Sequence, residues 1–316
     1  MEETTDHEVM AVELDEGEPV GSVDLDVVRS GLASDENMVR TRAANVALGV
    51  ARADVDRAVE LAPALRDALR DDHRVVVHRT AAALAIVAEE APERVEPAVD
   101  RLVELLDYDV PSVETSAARS LGALAVEKPA ALVDHVDALV AATVEEPEDV
   151  VDPESIAEAE YDDQARTLNL YNASHVTEQA GARHVTANLL VAVADDHPDA
   201  LASHVPELVD ALSTNDATVL TALVDTLGSV AQADADAVAQ ADANAVAGTS
   251  AVDALSGLLD HPDETVVATT VATLGYVGDP AAVDSLRELA GDGDRDADLR
   301  EFAAETADVL ATVDDV

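Results

Sequence analysis

Residues 292–303 read DGDRDADLREFA, with acids at positions 1, 3, 5 and 7 of the segment and an apolar residue at position 8. Oxygen ligands at that spacing are how a helix–loop–helix site holds calcium. Position 6, however, is Ala297 where such a loop needs glycine for its sharp turn. Position 12 is Ala303 where a bidentate glutamate would close the shell, so the segment reads as an acidic turn. The histidines offer no better centre. His7-Glu8 is the sole His-Glu pair, and His73, His78, His135, His184, His197, His204 and His261 are scattered. Cysteine is absent, which excludes thiolate chemistry and disulfides. The single lysine, Lys128, lies between Glu127 and Pro129, outside any phosphate-cradling glycine loop. Gly248-Thr249-Ser250 lacks the strand-to-helix setting of a nucleophile elbow. No catalytic residue, metal or cofactor is predicted.

What the chain does carry is a repeat. Ala47, Leu84, Leu121, Leu190, Leu227, Leu274 and Ala307 form one column, mostly 37 residues apart. Three residues later stand Val50, Val87, Leu124, Val193, Val230, Val277 and Leu310, and three earlier Ala44, Ala81, Ala118, Ala187, Val224, Val271 and Ala304. Eight residues earlier come Val39, Val76, Val113, Ala182, Val219, Val266 and Leu299. These offsets share one helical face, so each copy holds an amphipathic helix. A helix precedes it, marked by Leu32, Leu69, Leu106, Leu212 and Leu259, with Val28, Leu65, Leu102, Leu208 and Leu255 one turn earlier. Between the two lie SDEN (34–37), DYDVP (107–111), STND (213–216) and DHPD (260–263), whose Asp, Asn and Ser can cap the next helix.

Val113, Ala117, Ala118, Leu121 and Gly122 show the recurring spacing of the second helix. It resembles the second helix of a HEAT repeat of the bilin-lyase-like subclass. The resemblance runs over residues 24–313 in seven copies. It implies an all-α fold, a right-handed α-α superhelix of the HEAT/armadillo-like solenoid type built from about seven helical hairpins, and a protein that binds another protein along its concave face. Arg42, Arg79, Asn45, Arg119, Asn188 and Asp225 would point into that face. A cofactor-handling enzyme subunit, as in the bilin lyases, is the alternative that the resemblance carries. A further relative, deoxyhypusine hydroxylase, holds iron through His-Glu pairs on successive repeats, which this sequence lacks.

Two irregularities interrupt the period. Copies three and four are 69 residues apart, which places an insertion at about 144–175. Its first half is acidic, but residues 164–194 contain one acid, Glu178, beside Arg166 and Arg183. Either a longer helix is packed there, or Arg166, Asn169, Tyr171, Asn172, His175 and Arg183 make a surface for a partner. The second irregularity, QADADAVAQADANAVAGTS (232–250), reads as a solvated extension.

The chain holds 67 Asp and Glu against 18 Lys and Arg, a net charge of −49 over 316 residues, yet 48% of it is hydrophobic. That balance resembles the cytoplasmic proteins of extreme halophiles, where screening at molar salt shortens the Debye length to about 3 Å. Such charge disfavours nucleic acid and anionic lipid as partners, and no apolar run is long enough to span a membrane. Residues 1–23, which carry no signal-peptide pattern, read as an acidic disordered tail ahead of the solenoid at 24–316. A cytoplasmic monomer follows as the expectation. Residues 29–101 hold 11 of the 17 arginines, whereas 184–286 hold no Lys or Arg. Either these arginines pair locally, or they orient an acidic partner.

Overall fold

The computed structural model describes residues 8–12, 23–146, 162–241 and 250–313, and of these the side chains of 162–169, 171, 172 and 313 lie outside the described set. No β-strand occurs among the described residues. The first copy is α1 (Leu25–Leu32) and α2 (Asn37–Ala53), and the second is α3 (Val55–Val59), α4 (Ala62–Ala68) and α5 (Arg74–Glu90). The third is α6 (Val99–Glu104) and α7 (Pro111–Glu127), and the fourth is α8 (Val136–Val144) and α9 (Asp162–Asp196). Then come α10 (Val205–Asp210) and α11 (Ala217–Ala233), followed by α12 (Ala235–Ala239), α13 (Ala251–Gly257) and α14 (Glu264–Val277). The last copy is α15 (Val283–Gly291) and α16 (Ala297–Val313). The chain divides into two compact units, Met1–Ala131 with Glu146–Val185, and Leu132–Glu145 with Thr186–Val316.

Each later copy has a third part that helical periodicity is too coarse to show. A short helical segment precedes the first helix: α3, Pro92–Ala98, Pro129–His135, Pro198–His204, α12 or Pro280–Ala282. Its chemistry is local. Asp54 and Asp234 end α2 and α11 in extended conformation, and their carboxylates accept the N–H of Arg57 and of Ala237 to start the next helix. Elsewhere proline opens the segment, at 92, 129, 198 and 280, where its missing N–H costs nothing. α14 instead stops at Gly278, in the left-handed region at φ 74°.

Of the inter-helix turns, Asp216 and Asp263 cap α11 and α14 through their carboxylates. SDEN and DYDVP do not cap. Glu36 stands at the N-cap of α2, and Val110 precedes Pro111 at the start of α7.

The repeat columns form the core. Every residue of the Leu121, Leu124 and Val113 columns is buried, as is every residue of the Ala118 column except Ala304, which is half-buried in α16. α6 runs into a 3₁₀ turn at Leu105–Asp107, where Leu105 is buried and the column residue Leu106 only half-buried. Each fully buried Leu or Val contributes about 1.5–3 kcal/mol. Several buried hydroxyls are satisfied within their own helices. Thr80, Ser120, Thr226 and Thr270 each donate to the carbonyl four residues earlier, at 2.8–2.9 Å.

In the first unit α2 packs on α5 and α5 on α7, and in the second α11 packs on α14 and α14 on α16. The α11–α14 contact is set by Gly228. A Cβ there would sit 2.7 Å from the Thr273 hydroxyl oxygen, which donates to the Val224 carbonyl at 3.0 Å. Gly228→Ala should therefore lower stability by about 1–3 kcal/mol. Adding Thr273→Ala should recover part of that loss, as read by thermal melts in molar KCl. Equal melting of wild type and Gly228→Ala would show that the two helices are free to separate. Leu121→Ala should cost about 2–5 kcal/mol in the same assay.

Candidate functional site

In the first unit the second helices present equivalent residues side by side. Met38 and Arg42 of α2 match Val75 and Arg79 of α5, and Ser112 and Ser116 of α7 continue the two rows. Met38 is 72% exposed and Val75 39%, although a sequence search for core columns passes over both. Thr41, His78 and Thr115 form an adjoining row.

Two segments of the chain lie against this face. Residues 8–12, within the N-terminal stretch, make a helical turn whose Val9 is fully buried at α1 and α2, close to Gly31 and Ala43. Arg42 donates from Nη2 to the Val12 carbonyl. At the third row, the Thr115 hydroxyl donates to the Glu178 carbonyl of α9 at 3.1 Å. Between them, Arg79 has no ion-pair partner among the described residues, and its Nε is buried without a hydrogen bond. Burial, and next the Arg79 charge, push the His78 imidazole below its ordinary value, against the pull of Glu178.

Most other arginines are tied locally. Arg40 reaches across to the turn of the next copy, where Nε lies 2.6 Å from Asp71 and Nη2 2.9 Å from Asp72, while Nη1 donates to the Ser34 and Asp35 carbonyls. Hydrogen bonding to Asp71 raises the Arg40 guanidinium further. Burial would raise the Asp71 carboxyl, but Arg40 and the His73 N–H together hold it below the usual carboxylate value. Arg74 pairs with Asp109, Arg119 with Glu89 and Lys128 with Glu96. Arg66, Arg101 and Arg295 donate to main-chain carbonyls 28–36 residues away. Local pairing thus accounts for Arg119, and for Arg42 through its carbonyl. It does not account for Arg79.

In the insertion, residues 147–161 lie outside the described residues, as do the side chains of Arg166, Asn169, Tyr171 and Asn172, whose backbone is helical in α9. Arg183 is 5% exposed, 3.6 Å from Glu146. It therefore sits inside the protein rather than on a partner surface, because it occupies the same repeat position as Arg40. His175 is half-buried. The helix begins well before the point where its counterparts start, and in that extension Leu170 is 67% exposed, with Ala173, Ser174 and Thr177 also exposed.

The second unit holds a cleft of about 390 Å³ between α14 and α16, lined by Glu264, Ala268, Asp296, Asp298, Leu299 and Phe302. The acidic segment 292–303 forms its edge. There the Asp296 carboxylate accepts the N–H groups of Asp298 and Leu299, while Arg295 donates to the His261 carbonyl. Asn188 and Asp225 are exposed on α9 and α11. Burial, then the neighbouring Asp195, raises the Asp225 carboxyl. Among the described residues no group of three His, Asp or Glu is placed to hold a metal ion. No helix among them is long and apolar enough to cross a membrane.

The helices together define an all-α repeat fold of the HEAT/armadillo-like kind. Residues 236–307 match the family model described as HEAT repeats. Among solved structures, an archaeal HEAT-like repeats protein from Thermococcus onnurineus NA1 is 14% identical, with 93% of this chain and 99% of that one covered at a TM-score of 0.50. A designed armadillo repeat protein is 18% identical over 80% of this chain and 100% of its own, at a TM-score of 0.53. An engineered protein is also 18% identical, covering 98% of this chain and 85% of its own at 0.50. No curated protein sequence matches the chain. These likenesses speak to fold alone.

The Arg40–Asp71 pair yields a test. Asp71→Asn should lower stability by about 1–3 kcal/mol at pH 7, cushioned by Asp72. Because the folded Asp71 value is depressed, its contribution is full above the ordinary carboxylate pKa of about 3.9 and is lost as pH falls through the folded value. Denaturant melts of wild type and variant should therefore converge in acid. A constant gap down to the folded value and below it would show that packing, not charge, sustains the pair.

Proposed function

We propose that this protein is a non-catalytic helical-repeat scaffold that binds another protein in a halophilic cytoplasm, acting as a monomer. The observation that carries the reading is the extension of α9. In a chain of net charge −49, four of its five described exposed residues, Leu170, Ala173, Ser174 and Thr177, are uncharged, Glu178 being the one acid, and Leu170 is a large apolar side chain. Surface acids in such a protein keep it hydrated and apart from its neighbours. A stretch that holds only one of them is suited to lose water against a partner, since charged residues are depleted at the centre of protein interfaces. The insertion residues Arg166, Asn169, Tyr171, Asn172 and His175 belong to the same proposed surface. The charge of the whole disfavours nucleic acid as the partner.

The test is capture from a halophilic host in molar KCl. Wild type would be compared with Leu170→Glu/Thr177→Glu, a variant that acidifies the extension without touching the core. A specific protein should be retained by wild type and lost with the variant, at equal helicity and melting temperature. Retention of the same protein by both would remove the extension from the interface. Capture of nothing by either would count against the scaffold reading itself.

A further inference from the structure

A guanidinium left unpaired is out of place in this chain, which has 67 carboxylates for 18 cations. Exposed arginines such as Arg52, Arg70 and Arg287 need no protein partner, because water serves them. Arg42 and Arg300 also have a buried Nε without a hydrogen bond. Arg42 is held through Nη2 by the Val12 carbonyl, and Arg300 stands at the repeat position of Arg40, in the last described helix. Arg79 has neither feature. It lies in the middle of the first unit, flanked by α2 and α7, and Glu178, whose charge acts on His78, makes no ion pair with it.

Its counterpart shows what this position does when filled. Arg42, in the same row one copy earlier, holds a main-chain oxygen of a segment lying on the face, and that segment buries Val9 beside it. Beside Arg79, Val75 is 39% exposed, and Met38, its counterpart beside Arg42, is 72% exposed. A planar donor fork with an apolar ledge beside it is complementary to a carboxylate next to an aliphatic side chain. Charge complementarity also selects the occupant, because a guanidinium with no ion-pair partner among the described residues takes a carboxylate best. Such contact pairing tolerates molar salt, since screening acts beyond about 3 Å.

We propose that Val75 and Arg79, with Met38, form a docking site for an acidic, apolar-bearing segment of a partner protein, the Arg79 guanidinium pairing with its carboxylate. The site rests on the scaffold reading only in taking a protein as partner. It shares no residue with the α9 extension, so a failure there does not touch it.

Two measurements on the full chain in molar KCl test it. First, Arg79→Met keeps the aliphatic stem and removes an uncompensated buried donor, so its melting temperature without ligand should equal or exceed that of wild type. A fall of more than about 3 °C would make Arg79 a structural residue and overturn the proposal. Second, a fluorescein-labelled peptide Glu-Val-Met-Ala-Val-Glu, the chain's own residues 8–13, serves as probe in anisotropy titrations. Wild type should bind it at least about tenfold more tightly than Arg79→Met, and more tightly than its Gln-for-Glu counterpart. Arg79→Lys should recover part of the affinity. No binding to wild type, equal binding to Arg79→Met, or loss with Arg42→Met instead would each overturn the assignment.

Discussion

Everything in each unit follows from how closely successive second helices can approach. At the α11–α14 contact the limiting pair is Gly228 against Thr273, with less than a carbon–carbon contact distance to spare for one more methyl group. A core built on that spacing is filled by Ala, Val and Leu and has no room for rings. The two described aromatics of the second unit, Tyr276 and Phe302, consequently stand at the surface. The scarcity of aromatic residues and the tightness of the stack are one fact seen from two sides.

Charge is organised by the same repeat. Carboxylates crowd the solvent face, whereas cations are few and mostly placed where one copy meets the next. Arg40 grips the following inter-helix turn, and Arg101 holds the Leu69 carbonyl. Because the partners are 28–36 residues away, such contacts fix the register between copies rather than stabilise any single helix. This also explains why the arginines cluster in the first unit without making it a cationic surface. The second unit adds a hydroxyl to this arginine device, Thr273 on the Val224 carbonyl beside Arg295 on the His261 and Leu259 carbonyls.

The core columns were legible from sequence because burial repeats with a fixed offset. Leu121, Leu190 and Leu274 fall in one row whatever surrounds them. The short segments such as Val55–Val59 were not, since five residues are fewer than two helical turns and carry no period. Their start was written in a single residue, Asp54, that any turn could share. The surface reading was harder still. Arg42, Arg79 and Arg119 look alike as sequence, and what separates them is a carbonyl at residue 12, the lack of a partner, and a glutamate 30 residues earlier. Arg183 was misplaced for a related reason. Its place after Ala182, as Arg40 follows Val39, puts it inside, whereas the shortage of acids around it suggested a surface. The exposed Met38 and Val75 announce themselves through neither charge nor period, only through their exposure in the fold.

The buried hydroxyls have a consequence of another kind. Thr80, Ser120, Thr226 and Thr270 each close their hydrogen bond on their own helix, so none depends on a neighbouring copy for its partner. A copy could be duplicated, deleted or exchanged without orphaning these hydroxyls, so that only apolar surface and the arginine contacts between copies would have to be matched afresh at the new junction. Polar self-sufficiency of that sort lets an array change length by recombination while remaining foldable at each step. The Thr273–Val224 bond is the exception, and it marks the fifth and sixth copies as a pair that would have to be inherited together.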